Sequence, residues 1–392
     1  ITRMRDEPIG WPHDLPLAHL VSAPSVRRVA FCVRAVQAYS ASGWACKRRV
    51  ALVWENCVVM RSMTLPAQAP IGSAPLRASE GPPPVPASGE IRVRIRCCAA
   101  CRTDLHVIEG DLPPRRLPLV PGHQAVGVVE ALGPGAQRFR IGDRVGIAWL
   151  RSTCGACSFC TTGRENLCEA STYTGWTHDG GYATHCCVPE AFAHVIPPVF
   201  DDTEAAPLLC AGIIGYRALR RSQVPRGGRL ALFGFGSSAH ITLQVARHWG
   251  CTVYAVTRDA AHRRLALDLG ARWAGGTHEA LPERVDAAIV FAPAGDLVPV
   301  ALQSLQKGGT VALAGIHMSD LPAMAYEPNL FWEKTLQSVT ANTREDGRAL
   351  LAEAAAIPIR PRVTRYALSD ANRALQALAA DRVAGTAVLM VD

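Results

Sequence analysis

Several things are scarce or missing in this 392-residue sequence, and each absence removes a class of function. No apolar run reaches the roughly 18–20 residues that a membrane-crossing helix needs. No compact Lys/Arg block with interleaved aromatics appears, and a net charge of +8 is modest for this length, so the usual footprint of a nucleic-acid binder is missing. Aromatic residues are only 6% of the chain and charged residues 19%. No solenoid-type repeat interrupts the pattern. What remains is a globular protein long enough for two domains, whose expected partner is a small molecule rather than nucleic acid or membrane.

Cysteine, by contrast, is abundant, at fourteen residues. In a long chain with enzyme-like motifs such cysteines more often bind metal than form a disulfide framework, which points to a reducing compartment and a cytoplasmic location. Cys32, Cys46, Cys57, Cys97, Cys98, Cys186 and Cys187 show no metal-like spacing apart from Cys98-x2-Cys101. Cys251 reads as packed at a strand start.

Residues 1–59 differ from the rest. They begin with Ile, show no sustained periodicity, and set eight basic residues against four acidic ones. The apolar core of a secretory signal is missing. The expectation is an extension outside the fold, with Met60 or Met63 as natural starts.

From Met60 the texture is β-rich. Glu90–Arg96 alternates apolar and charged residues, the mark of a half-buried strand. It leads into Cys101-Arg102-Thr103-Asp104-Leu105-His106, which holds a thiol, a hydroxyl, a carboxylate and an imidazole within six residues. His123 in Pro-Gly-His and Cys210 in Leu-Cys-Ala-Gly can complete a metal site with Cys101. Two Cys and one His, with a fourth position left open, is a catalytic zinc pattern. Strands at Val126–Glu130 and near Arg144–Ile147 complete a region expected to be all-β. Cys154-x2-Cys157-x2-Cys160-x7-Cys168 follows. Four thiolates at these spacings can close around a structural zinc with no position left for substrate, with redox disulfides or an iron–sulfur cluster as the alternatives.

After Pro207 strands and helices alternate, the pattern of a parallel, doubly wound sheet. Strands are expected at 229–235, 252–257, 286–291, 310–315 and 337–341, helices at 239–249 and 260–269, and a closing helix and strand at 369–380 and 385–391. The first strand runs into Gly234-Phe235-Gly236-Ser237-Ser238-Ala239. Gly234 permits the tight turn, Gly236 lets the backbone approach a pyrophosphate, Ala239 takes the third glycine's place, and the helix N-terminus offers N–H groups to phosphate. At the end of the second strand stand Thr257 and Arg258, where an NAD enzyme usually has an acid. A guanidinium there suits a 2′-phosphate and favours NADP. Asp259 lies a residue or two late and would serve NAD only if the strand ended later.

Taken together, and in this order, these motifs resemble the zinc-containing medium-chain alcohol dehydrogenases, and Gly146–Leu150 resembles the microbial branch similar to yeast alcohol dehydrogenase. The resemblance covers nearly everything after the extension. It implies an α/β protein: a GroES-like β-rich catalytic domain (60–208 and 332–392) and a doubly wound Rossmann-type nucleotide domain (209–331). It implies two zinc ions per subunit, NAD(P)(H), a homodimer or homotetramer joined through the nucleotide-domain sheet edge, and hydride transfer between a primary alcohol or aldehyde and the nicotinamide. By the same resemblance Cys101, His123 and Cys210 ligate catalytic zinc, and Asp104 orients the His123 ring. Thr103 accepts the substrate proton and His106 passes it outward. Ile108, Leu112 and Trp149 line the alcohol pocket. Relatives that favour very small alcohols often carry Trp where Ile108 or Leu112 stands, so longer or aromatic substrates are expected. One departure is Gln124, where the family usually has Glu; activity is expected to be reduced but to survive. Two other readings stand beside this one: a quinone-reductase-like enzyme of the same fold, disfavoured by the complete zinc set, and a non-enzymatic zinc- and nucleotide-binding relative, disfavoured by the intact Thr103 and His106.

Overall fold

A computed structural model describes residues 58–277, 279–357 and 359–391. The expectation for 1–59 therefore falls almost wholly outside the described residues.

Two large sheets organise the chain. The first has seven strands, and its centre is Glu90–Ala100. Ile91, Val93 and Ile95 of that strand are buried while Arg92, Arg94 and Arg96 alternate with them toward the other face. Then Cys97, Cys98, Ala99 and Ala100 are all buried, because the strand's end runs between packed layers. It pairs antiparallel with Ala125–Leu132, with His185–Pro189 and with Thr386–Met390 from the chain's far end. A sheet that holds strands from both ends of the described chain encloses one apolar core shared by Leu65, Ile108, Tyr182 and Leu389.

The second sheet has six strands, all parallel. Their spatial order is Trp273–Gly275, Thr252–Val256, Arg229–Phe233, Val285–Val290, Leu305–Leu313 and Thr335–Ser338. In chain order this is 3-2-1-4-5-6, the doubly wound dinucleotide-binding arrangement. Its inner strands are apolar on both faces, as a sheet covered by helices on each side requires.

Several boundaries move from their expected places. The region expected to be all-β contains a helix, Arg102–Glu109. Its N-cap is Cys101, a residue type that gives no capping signal in sequence; Asp104 completes the capping box. The first nucleotide-domain helix starts at Ser237 rather than 239. The strand expected at 310–315 begins at Leu305 and ends at Leu313. The strand expected at 337–341 is Thr335–Ser338, and Ala341 has a left-handed backbone (φ 47°) that no strand continues through. The closing helix is Ala371–Ala379 and the last strand Thr386–Met390.

Between the two sheets runs a wide π-helical turn, Leu208–Gly212. Leu208, Leu209 and Ala211 are buried in the apolar cluster beneath the second sheet. Cys210 on that turn is left half-buried, as a residue facing a site would be.

Candidate metal centre and nucleotide cradle

Cys101, His123 and Cys210 come together. Their ligand atoms all lie within 4.8 Å of one another, and the Cys101 Sγ is 3.4 Å from His123 Nε2. Three elements deliver them: the helix that follows the central strand, the loop ahead of Ala125–Leu132, and the π-helical turn. The loop is held by Gly122, whose φ is +95° and whose missing Cβ would lie 2.3 Å from the Tyr182 ring. No side chain fits there, so the ring packs directly on the backbone beside His123.

Asp104 is the organiser. It is almost fully buried, and its two oxygens do different work. Oδ2 accepts the backbone N–H of Cys101 at 2.9 Å, and Oδ1 pairs with His123 Nδ1 at 3.1 Å. With a proton on Nδ1, the Nε2 lone pair faces the sulfurs, which is the tautomer a metal ligand needs. Burial alone would push the His123 pKa down, but the Asp104 carboxylate and the Cys101 sulfur outweigh it and raise it to about 10. Cys101 is held well below the ordinary thiol value, chiefly by its bond with Cys210, and Cys210 is pushed up by the same bond. Without metal, the cluster therefore keeps an imidazolium, a thiolate and a thiol in one small volume. A divalent ion fits that donor set and would replace the protons.

Gln124, next to His123, is fully buried. Its Nε2 donates to the Ala99 carbonyl at 3.5 Å, and its Oε1 has no partner among the described residues. Thr103 sits half-buried in the first turn of its helix. His106, one turn on, places Nδ1 2.7 Å from Asp111 Oδ2 and its ring 5.4 Å from that of His317. Sequence reasoning missed Asp111 and His317; only their packing reveals them.

Of the three expected pocket residues, the structure brings two to the centre. Trp149 lies edge-on to His123 at 4.9 Å between centroids, and Leu112 packs in the same small cluster. Ile108 does not join them. It is fully buried in the separate core of the seven-stranded sheet, because successive helix positions are turned by roughly 100°, so Ile108 faces a different layer from Val107. In its place stand two aromatics that sequence did not single out: Tyr173 and Trp176 stack with Trp149 at 5.1 and 5.9 Å. The wall beside His123 is flat, apolar and aromatic.

The four cysteines of the later loop also converge, with all sulfurs within 4.8 Å. Backbone N–H groups of Cys154 and Cys157 donate to the sulfurs of Cys168 and Cys154 at 3.4 and 3.3 Å. N–H bonds from Ala156 and Cys157 bring Cys154 down to about 6, a thiolate at neutral pH. Glu165 ties this loop to the body through Arg344 at 2.6 Å.

At the nucleotide motif, Gly234 has φ +89° and stands against Ala292, whose N would lie 2.8 Å from an added Cβ. Gly236 is different. It is the N-cap of Ser237–His248, and nothing lies within 4 Å of where its Cβ would be. The open space over Gly236, at a helix N-terminus, fits an incoming diphosphate. The hydroxyl of Ser237 is turned to Thr386, and the Ser238 carbonyl accepts the Thr242 hydroxyl at 2.8 Å. Ala239 is buried against the core. Thr257 is buried and donates its N–H to Gly275 at 2.9 Å. Arg258 is 84% exposed, its one ion-pair contact among the described residues being Asp381 at 4.0 Å, and Asp381 is already bound to Arg102. Asp259 caps the next helix by accepting the His262 N–H at 2.9 Å, so its carboxylate is engaged.

Comparison with known proteins agrees with this geometry. The sequence matches the alcohol dehydrogenase GroES-like domain over residues 87–198 and the zinc-binding dehydrogenase domain over 238–356. It is 51% identical over 327 residues to AdhA of Mycobacterium tuberculosis, described as a probable alcohol dehydrogenase, covering 82% of this chain and 94% of that one. An alcohol dehydrogenase of Geobacillus stearothermophilus is 38% identical over 310 residues, covering 77% and 91%. Among solved structures, a cinnamyl alcohol dehydrogenase of Sorghum bicolor superposes with a TM-score of 0.78 at 26% identity, over 85% of this chain and 98% of that one.

Proposed function

This chain belongs to the zinc-containing medium-chain alcohol dehydrogenases and is an NAD(P)-linked alcohol dehydrogenase; from that premise we propose how its own residues carry the reaction and what it acts on. Cys101, His123 and Cys210 hold a catalytic zinc, and Cys154, Cys157, Cys160 and Cys168 a structural one, two per subunit. The observation that carries this reading is the Asp104 carboxylate, which binds both the Cys101 backbone and the His123 ring and so presents two donors as one unit. Bound zinc makes a substrate hydroxyl easier to deprotonate, and bound nicotinamide exchanges the hydride. The Thr103 hydroxyl takes the proton. His106 receives it and hands it outward past Asp111, a partly exposed carboxylate bonded to its Nδ1. Gly236 and the helix behind it seat the diphosphate.

NADP is the preferred coenzyme. Arg258 is exposed and held only by a 4.0 Å contact with Asp381, and Asp259 is engaged as a helix cap, which leaves a guanidinium rather than an acid to meet the ribose. The substrate is a longer primary or an aromatic alcohol or aldehyde, lying along Trp149, Tyr173 and Trp176, with Leu112 at its side. The Sorghum cinnamyl alcohol dehydrogenase supports that class by its name. Rates from ethanol to hexanol and benzyl alcohol, with each coenzyme, test both points. NADPH should win by about tenfold in kcat/KM, the value of one charge-assisted phosphate contact, and Arg258→Ala should erase the gap. A sharp ethanol optimum, or equal use of NADH by the unaltered protein, sinks the respective claim.

Subunits pair through the Thr335–Ser338 edge of the six-stranded sheet, beside which Tyr326, Phe331 and Trp332 are exposed. Sedimentation of a monomer at micromolar concentration would exclude this. The protein works in the cytoplasm, where its eleven described cysteines, none of them in a disulfide, stay reduced. Finding it in an oxidising compartment would count against that.

A further inference from the structure

A second cavity lies away from the metal centre, between the Ala193–Val195 strand and the Arg344–Ala356 helix. Its volume is about 240 Å³. Val195, Pro197 and Leu351 give it apolar walls, and Arg138, Arg348 and His194 stand on its polar side. The basic groups are only partly neutralised. Arg138 uses Nη1 on the carbonyls of Glu190 and Ala193 at 2.5 and 2.8 Å, and no bond is made by its Nε or Nη2 among the described residues. Arg348 turns Nε and Nη2 to Glu345 at 3.0 and 2.7 Å and leaves Nη1 over. The carboxylates nearby are spoken for: Glu345 by Arg348, Glu165 by Arg344, and Glu190 by the backbone N–H groups of Gln137 and Arg138.

His194 is the second observation. It is only 4% exposed, and its ring makes no hydrogen bond among the described residues. Gly347 lets the helix come this close, since a Cβ there would meet the ring at 2.3 Å. The ring nitrogens are not sealed from solvent, and they open onto the cavity that His194 lines. Burial, then the charges of Arg138, Arg348 and Arg344, push its pKa down to about 4, so at neutral pH the ring is uncharged and offers one N–H donor. Uncommitted guanidinium nitrogens, an unpaired imidazole and an apolar floor describe a receptor for a negatively charged oxygen group.

We propose that this cavity binds a small oxyanion, either inorganic phosphate or the carboxylate of a short-chain acid whose tail rests on Val195, Pro197 and Leu351. The site is separate from the catalytic centre and does not depend on the substrate assigned there. Leu350 of the same helix packs on Gly212, two residues from Cys210, so an occupant would brace the turn that carries a metal donor.

Calorimetric titration of the full-length, zinc-loaded protein saturated with coenzyme tests this, with phosphate as the probe in one arm and hexanoate in the other. Arg348 is exposed, and its only ion pair among the described residues is the surface pair with Glu345, so its replacement is expected to leave the fold intact. Arg348→Gln is therefore expected to weaken binding by about tenfold, the value of a charge-assisted hydrogen bond, at unchanged Tm. His194→Phe, which keeps the ring's bulk, should weaken it as well. Tighter phosphate identifies the headgroup as what is read; tighter hexanoate adds the tail. If neither probe binds, or both variants bind as tightly as the unaltered protein, the proposal is overturned.

Discussion

Gln124 shows how much one atom can matter at the residue scale. Its Oε1 is buried beside His123 and unpaired, while the family usually places an ionised oxygen there. Gln matches the size of Glu but cannot carry its charge. Restoring that charge by Gln124→Glu should raise turnover, within the ~10–100-fold range seen for groups just behind metal ligands. Stopped-flow turnover and the rate of zinc exchange report it. No change in either would mean that Gln124 only fills space. Asp104 is the contrasting case. Its place between Cys101 and His106 and its bond to the His123 ring were expected from the resemblance, but its second hydrogen bond, to the Cys101 backbone N–H, was not, because it belongs to a helix cap that sequence did not signal. The same holds for Tyr173 and Trp176, which no spacing ties to His123. Ile108 shows the reverse error: successive helix positions turn by roughly 100°, so the resemblance drew it to the pocket while the fold turns it into the core.

At the scale of the element, the strand–turn–helix at Gly234–Ala239 separates two roles that the glycine pattern merges. Gly234 is needed by the chain itself, since its φ is +89° and Ala292 leaves no room for a Cβ. Gly236 has room to spare. Gly234→Ala is therefore expected to lower stability by roughly 1 kcal/mol or more. Gly236→Ala should melt like the unaltered protein yet raise the KM for coenzyme. Thermal melts and coenzyme titrations on both variants check the split; equal loss of stability in the two would refute it. Elements of this kind were readable in advance because strand, turn and helix each leave a local signal. The Arg102–Glu109 helix was not, since a cysteine cap and an eight-residue length leave almost none.

For the whole molecule, acid stability should be set in part by two buried imidazoles. His240 accepts the Arg362 N–H on Nε2 at 3.3 Å, so its Nδ1 carries the proton toward the Gly236 carbonyl and the ring is neutral. Burial lowers both His240 and His194 to about 4. Above pH 6.5, the ordinary value, folded and unfolded chains are equally uncharged at these sites. As pH falls from 6.5 to 4, only the unfolded chain takes up the protons, and stability drops by roughly 3 kcal/mol per ring once both states are protonated. Melting curves should therefore decline already between pH 6.5 and 4.5, above the range where ordinary carboxylates titrate. A flat profile across that window would contradict the burial of these rings. The parallel sheet was foreseeable from alternating strands and helices, whereas its strand order is a long-range arrangement. That Thr386–Met390 returns to pair with Glu90–Ala100 is a long-range contact that local pattern does not encode. The central claim, that turnover depends on metal at Cys101, His123 and Cys210, is tested most directly by counting zinc while measuring aldehyde reduction by NADPH at 340 nm. The account predicts two zinc ions per chain, loss of turnover as a chelator removes the first, and its return when one equivalent of zinc is restored. Undiminished turnover in protein stripped of that zinc would contradict it.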